Sequence, residues 1–160
     1  MRDNHARHSS GASHAASGAG THVTELKLPA MDDYIVVAKR AAASLGLVVG
    51  FSLQEIDDLN IAITQACESA IAGATEKWGK GNGQLKLIFK SQPRRLEVEV
   101  RSVPPHAVEQ PAVRRARREA DLDYETIGLN MIRLFVDELR YQVDNHTGSM
   151  RMRMVKYLIE

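Results

Sequence analysis

Ser52 and Glu55 stand three residues apart at the head of a long run with helical periodicity, and this pairing constrains the chain more than any other local feature. In an S-x-x-E capping box each side chain satisfies an orphan backbone N–H at the start of a helix. Leu53, Ile56, Ile63, Cys67, Ala70 and Ala74 follow at mainly three- and four-residue steps, so one stripe of the helix faces a core. The pattern is expected to fail between Gly73 and Gly79.

The flanking text supplies the other layer. Thr24 to Leu28 alternates and reads as a short strand, and Met31 to Leu45 reads as a helix with an acidic first turn, ended by Gly46. Beyond the long helix, residues 85–89 and 96–100 carry period-two patterning joined by the short connection SQPRR, the signature of an antiparallel hairpin. Pro104, Pro105 and Pro111 then interrupt regular structure, and a further helical pattern runs from Tyr124 to Leu139. Arg140 to Val143 and Met150 to Leu158 read as two strands around DNHTGS. In the last strand Met150, Met152 and Met154 point one way while Arg151 and Arg153 point the other. The order β-α-α-β-β-α-β-β implies an α+β fold, a two-layer sandwich of a mostly antiparallel sheet with helices on one face.

Residues 1–21 contain no Leu, Ile, Val or aromatic side chain, so they are expected to form a disordered N-terminal arm, with residues 22–160 as one domain. His5, His8 and His14 lie in this arm at irregular spacing with no acidic residue among them, and read as a solvated tail. The 21 Lys and Arg against 20 Asp and Glu leave a formal charge of +1, which argues against a nucleic-acid coat. The single cysteine, Cys67, excludes an internal disulfide and suits a reducing, cytoplasmic compartment. It falls on the apolar stripe and reads as a small hydrophobe. No stretch is long and apolar enough to predict a membrane span.

Two segments carry more than periodicity: DDLNIAITQACESAIAGAT (57–75) and TIGLNMIRLFVDELRYQVDNHTGSMRMRMVKYL (126–158). They resemble the bacterial anti-sigma-factor serine kinases, the RsbW/SpoIIAB-like members of the GHKL, or histidine-kinase-like ATPase, superfamily. The resemblance implies the histidine-kinase-like fold and four short boxes that bind ATP and Mg²⁺. In the first box a Glu serves as base for the attacking serine hydroxyl, and an Asn four residues later holds the metal. A four-residue step stacks two side chains on one helix face. Here those positions are Gln65 and Ser69. An amide does not accept a proton, and a serine hydroxyl is a shorter and weaker metal ligand than an Asn carbonyl. Glu68 is adjacent but rotated about 100° around the helix from Gln65.

The second box, D-x-G-x-G, falls on Ser102, Pro104 and His106. Proline adds bulk and fixes φ where glycine would admit the nucleotide. The third, G-x-G, reads Thr126-Ile127-Gly128, so one glycine of two survives at the helix start that would cradle phosphates. In the fourth, Thr147-Gly148 reverses the usual pair. The resemblance therefore implies a fold whose chemical positions have been replaced. No catalytic residue is assigned. Ser69, Ser102 and Gly128 are the remaining nucleotide-binding candidates. No cofactor is expected, and ATP with Mg²⁺ only should the site be retained.

The family has a second activity that needs a surface and not a base. Its members bind an RNA-polymerase sigma factor, release it when an anti-anti-sigma protein of STAS type competes, and commonly form dimers. The first helix supplies part of that surface, which makes Asp32, Asp33, Lys39 and Arg40 the partner-binding candidates. The run RRARRE adds Arg114 and Arg115 where the family has its ATP lid; from Arg94 to Arg118 seven arginines face three glutamates, a net +4 that would suit an acidic partner. No aromatic base reader accompanies them, so nucleic acid is not expected. The sequence thus predicts a stoichiometric anti-sigma regulator, with an active serine kinase as the alternative.

Overall fold

In the computed structural model of the chain, residues 20–106 and 127–159 are described. Strand β1 (His22–Pro29) leads through a 3₁₀ turn (Asp32–Tyr34) into α1 (Ile35–Val49), and α2 (Leu53–Trp78) follows. A hairpin of β2 (Gln84–Gln92) and β3 (Arg95–Val103) comes next. Residues 127–133 are helical and are called α3; β4 (Glu138–Val143) and β5 (Met150–Tyr157) complete the fold. The strands form one sheet in the order β1-β2-β3-β5-β4, with every neighbouring pair antiparallel.

The register explains the two layers. Leu85, Leu87 and Phe89 of β2, Leu96, Val98 and Val100 of β3, and Met152 and Met154 of β5 share one face and are all but inaccessible. Against them pack Ile35, Ala38 and Ala42 of α1 and Leu59, Ile63, Cys67 and Ala70 of α2. Dense burial of alanine lets the two helices approach one another and the sheet closely. The methionine row is core, and the α+β sandwich with helices on one face is the observed architecture. Trp78 is buried at the end of α2 against Gly83, where an added Cβ would lie 2.7 Å from the Trp78 ring. It closes the edge of the core.

The capping box forms as the sequence implies: the Ser52 hydroxyl accepts from Glu55 N at 3.2 Å, and the Glu55 carboxylate accepts from Ser52 N at 2.7 Å. The second carboxylate oxygen of Glu55 accepts from Ile159 N at 3.0 Å, so the same side chain ties the far end of the chain to the start of α2.

Four expectations need correction. Gly46 does not end the first helix. It lies inside α1, buried, where a Cβ would meet Ile56 and Phe51 at 3.2 and 3.3 Å; the terminator is Gly50, with φ of 100°. Leu53 does not join the apolar stripe, because the first residue of α2 points outward and is 77% exposed. The last helical pattern stops at residue 133 and not at Leu139. Leu134 and Phe135 close it with short-range bonds to Met131 and Ile132, and Asp137 N then bonds Val155 O at 2.8 Å, committing the following residues to the sheet. The first strand is also longer than Thr24–Leu28, since pairing with β2 extends from His22 to Pro29.

Candidate functional site

Gln65 and Ser69 stand one turn apart on α2, both half-buried, on the side away from the apolar stripe. Gly128 is buried directly above them: a Cβ built on it would lie 3.1 Å from Gln65 Nε2 and 3.5 Å from Ser69 Oγ. The first described turn of α3 therefore lies against α2 at the two positions where the resemblance places base and metal ligand. Three of the four residues singled out from the sequence for this chemistry come together. Glu68 is exposed, while Gln65 and Ser69 are not, in keeping with its rotation around the helix.

Ser102 lies on β3. It is buried near the end of β3, and its hydroxyl accepts from Met150 N at 2.8 Å, extending the contact between β3 and β5 beyond the last ladder pair. The bond uses one acceptor lone pair and leaves the hydroxyl's own proton free to donate. Pro104 follows it, half-buried, and His106 is exposed. Thr126, Arg114 and Arg115 lie outside the described residues.

The turn between β4 and β5 is closely organised and anchored. Gly148 N donates to Asp144 O at 2.8 Å, and His146 N donates to the Asp144 carboxylate at 2.8 Å. That backbone bond holds the Asp144 carboxyl below its ordinary range. Gly148 adopts φ of 72°, and its carbonyl accepts from Lys77 Nζ, which fastens the turn to the C-terminal turn of α2.

Beside Gln65 lies an open groove of about 590 Å³ lined by Lys39 of α1 and by Asp57, Asn60, Ile61, Thr64 and Gln65 of α2. Thr64 Oγ1 donates to Asn60 O at 2.8 Å, while Asn60 Oδ1 is buried without a hydrogen-bond partner among the described residues. Asn60 and Thr64 were not among the sequence candidates. Their signal was available: Asp57, Asn60, Thr64 and Glu68 recur at three- and four-residue steps and form the polar stripe of the same helix. Lys39 faces this groove, Arg40 is exposed, and Asp32 and Asp33 are exposed in the turn before α1.

The donor set at Gln65, Ser69, Gly128 and Ser102 comprises one amide, a half-buried hydroxyl, a buried hydroxyl that accepts from Met150 N, and a glycine. None of these is a carboxylate, so the cluster has no proton acceptor of a base's strength, and Ser69 offers a hydroxyl where the resemblance places an Asn carbonyl. Among the described residues, this cluster does not fit the base and metal-ligand pair that the resemblance implies for Mg·ATP. Cys67, buried beneath the same stretch of α2, has its thiol pushed up to about 12 by burial and is no nucleophile.

No protein-family profile matches the chain. It is similar to the Serine-protein kinase RsbW of Bacillus subtilis (strain 168), with 28% identity over 151 residues and 84% of both chains covered. The corresponding protein of Bacillus thuringiensis (strain Al Hakam) is 24% identical over 147 residues, again with 84% of each covered. Among solved structures, the RsbU and RsbW domains of Rv1364c from Mycobacterium tuberculosis superpose with a TM-score of 0.60 at 13% identity. That match covers 86% of this chain and 32% of the larger protein. The resemblance to the anti-sigma-factor serine kinases read from the sequence is borne out, and the fold is shared with an RsbW domain. Within the described residues no helix is long and apolar enough to cross a membrane.

Proposed function

We propose that this chain is an anti-sigma factor, or a regulator of one, that works in the cytoplasm by stoichiometric binding within a partner-switching circuit. An RNA-polymerase sigma factor and a STAS-type antagonist are its partners. The observation that carries this reading is the pairing of Gln65 and Ser69 under Gly128. The family-like arrangement is kept, yet the side chains that would remove a proton and hold a metal are an amide and a hydroxyl. Partner binding needs only a surface, and α1 with the polar stripe of α2 provides one. Asp32, Asp33, Arg40 and the Lys39 groove are its components. The test is capture of the full-length protein from its host with identification of bound proteins. Recovery of a sigma factor or a STAS-type protein at fixed stoichiometry is the expected result, and recovery of neither would overturn the reading.

The alternative is an active serine kinase acting on the STAS-type protein, and the name carried by the Bacillus relatives favours it. It requires Mg·ATP to bind the native state, which must then raise the melting temperature by mass action. A flat melting temperature at millimolar Mg·ATP removes this alternative.

A further inference from the structure

The outer face of the sheet, opposite the helices, carries a feature visible only once the register of four strands is known. Lys27 of β1 lies directly across from Lys86 of β2, Lys86 from Arg101 of β3, and Arg101 from Arg151 of β5. Four cations thus form one row perpendicular to the strands. At a strand spacing of about 4.8 Å the row is roughly 14 Å long. Like charges directly opposite one another destabilise a sheet, so three successive like pairs break a local rule. Such violations are expected where a surface serves something other than folding.

The next row on the same face holds the cations in place without cancelling them. Glu25 reaches Lys86 at 3.7 Å, and the nearly inaccessible Glu99 is shared between Arg101 and Arg151. Burial alone would raise the Glu99 carboxyl, but the two guanidiniums outweigh it and keep it below its ordinary range. Four cations therefore answer to two carboxylates. Lys27 is exposed, and the side chains of Arg101 and Arg151 remain 36% and 52% accessible, held by Glu99 from behind.

We propose that this row is a docking track for an acidic helical segment of a partner protein, laid across the strands. The spacing fits: carboxylates three or four residues apart on a helix stand about 5–6 Å from one another, close to the strand spacing. About three helical turns would cover the row. Nucleic acid is the poorer occupant, because phosphates would run beside Glu25 and Glu99 and no aromatic side chain stands in either row to stack a base. A second copy of this face would set cation against cation. The inference is independent of the reading of the Gln65 cluster, which lies on the other side of the sheet.

The test uses the full-length protein and a fluorescent helical Ala/Glu peptide with glutamates at i, i+4, i+7 and i+11, followed by anisotropy from 50 to 300 mM NaCl. Binding should weaken with salt. Lys27→Gln with Lys86→Gln touches no buried carboxylate and should not lower the unfolding midpoint while weakening binding roughly three- to tenfold. Arg151→Gln, which keeps an N–H donor for Glu99, should act in the same direction, and Arg133→Gln on α3 should have no effect. Equal affinity for an isomer with its glutamates spread around the helix would overturn the proposal. So would tighter binding of a single-stranded oligonucleotide, self-association lost in the double variant, or no binding at 50 mM NaCl.

Discussion

Replacing Glu97 by Gln gives the sharpest test of how the outer sheet face is held together. Glu97 is 5% exposed, although it lies on the face without helices. Arg95 and Arg153 each donate to its Oε2 at 2.9 Å, and Lys90 stands 3.6 Å from Oε1. The long cationic side chains cover the carboxylate that they neutralise. The hydrogen bond from Arg153, working against burial and joined by Arg95, brings the carboxyl from an ordinary 4.5 to about 2. Taken at face value, a shift of that size corresponds to about 3 kcal/mol. The cations are themselves 20–42% accessible, so solvent screening reduces the contribution to about 1–2 kcal/mol. Because the folded-state value is depressed, the stabilisation is complete above pH 4.5 and is lost as the pH falls towards 2. Chemical denaturation from pH 7 to pH 2 should show Glu97→Gln less stable than the parent by about 1–2 kcal/mol at neutrality, equivalent to about 3–8 °C in melting temperature. The two curves should converge near pH 2. Parallel curves across the whole range, or a difference that persists at pH 2, would refute the reasoning.

Other consequences follow from single contacts. Glu55→Ala removes the capping-box acceptor and the tie to Ile159 together and should cost about 2–3 kcal/mol in a urea titration; a loss below half of that would mean the tie contributes nothing. Gly148→Ala places a Cβ 2.6 Å from Lys77 Cδ at a φ of 72°, and should lower stability by about 1–2 kcal/mol, read from the melting temperature. Cys67, fully buried with a raised thiol, should react with a disulfide reagent at pH 8 only as fast as the domain unfolds, so a fast native-state reaction would contradict its placement in the core.

What the sequence reveals and what it hides follow from the range of each interaction. The capping box was legible because both partners lie within one helical turn. The i, i+4 step of Gln65 and Ser69 was legible for the same reason. Gly46 is ambiguous in the sequence because a glycine near the end of a helical pattern serves equally as a terminator or as a point of close approach. Phe51 and Ile56, which decide the matter, make tertiary contacts with it. Leu134, Phe135 and Glu138 keep helical spacing and so extend the last helical pattern in the sequence, whereas the bond from Asp137 N to Val155 O comes from another strand. The bond from Met150 N, 48 residues away, to the Ser102 hydroxyl depends on strand pairing that the sequence around Ser102 does not encode. The net charge around Arg94 to Arg118 pointed towards a basic region, but the ordered cation row takes only Arg101 from it and draws Lys27, Lys86 and Arg151 from elsewhere. That assembly depends on register between strands, which no single segment encodes.

The most direct measurement of the central claim is native mass spectrometry of the protein captured from its host in millimolar Mg·ATP. The account predicts a complex of fixed stoichiometry containing a sigma factor, with no phosphate added to any STAS-type protein present. A STAS-type partner recovered in phosphorylated form, and left unphosphorylated when Gln65→Ala replaces the parent, would contradict it.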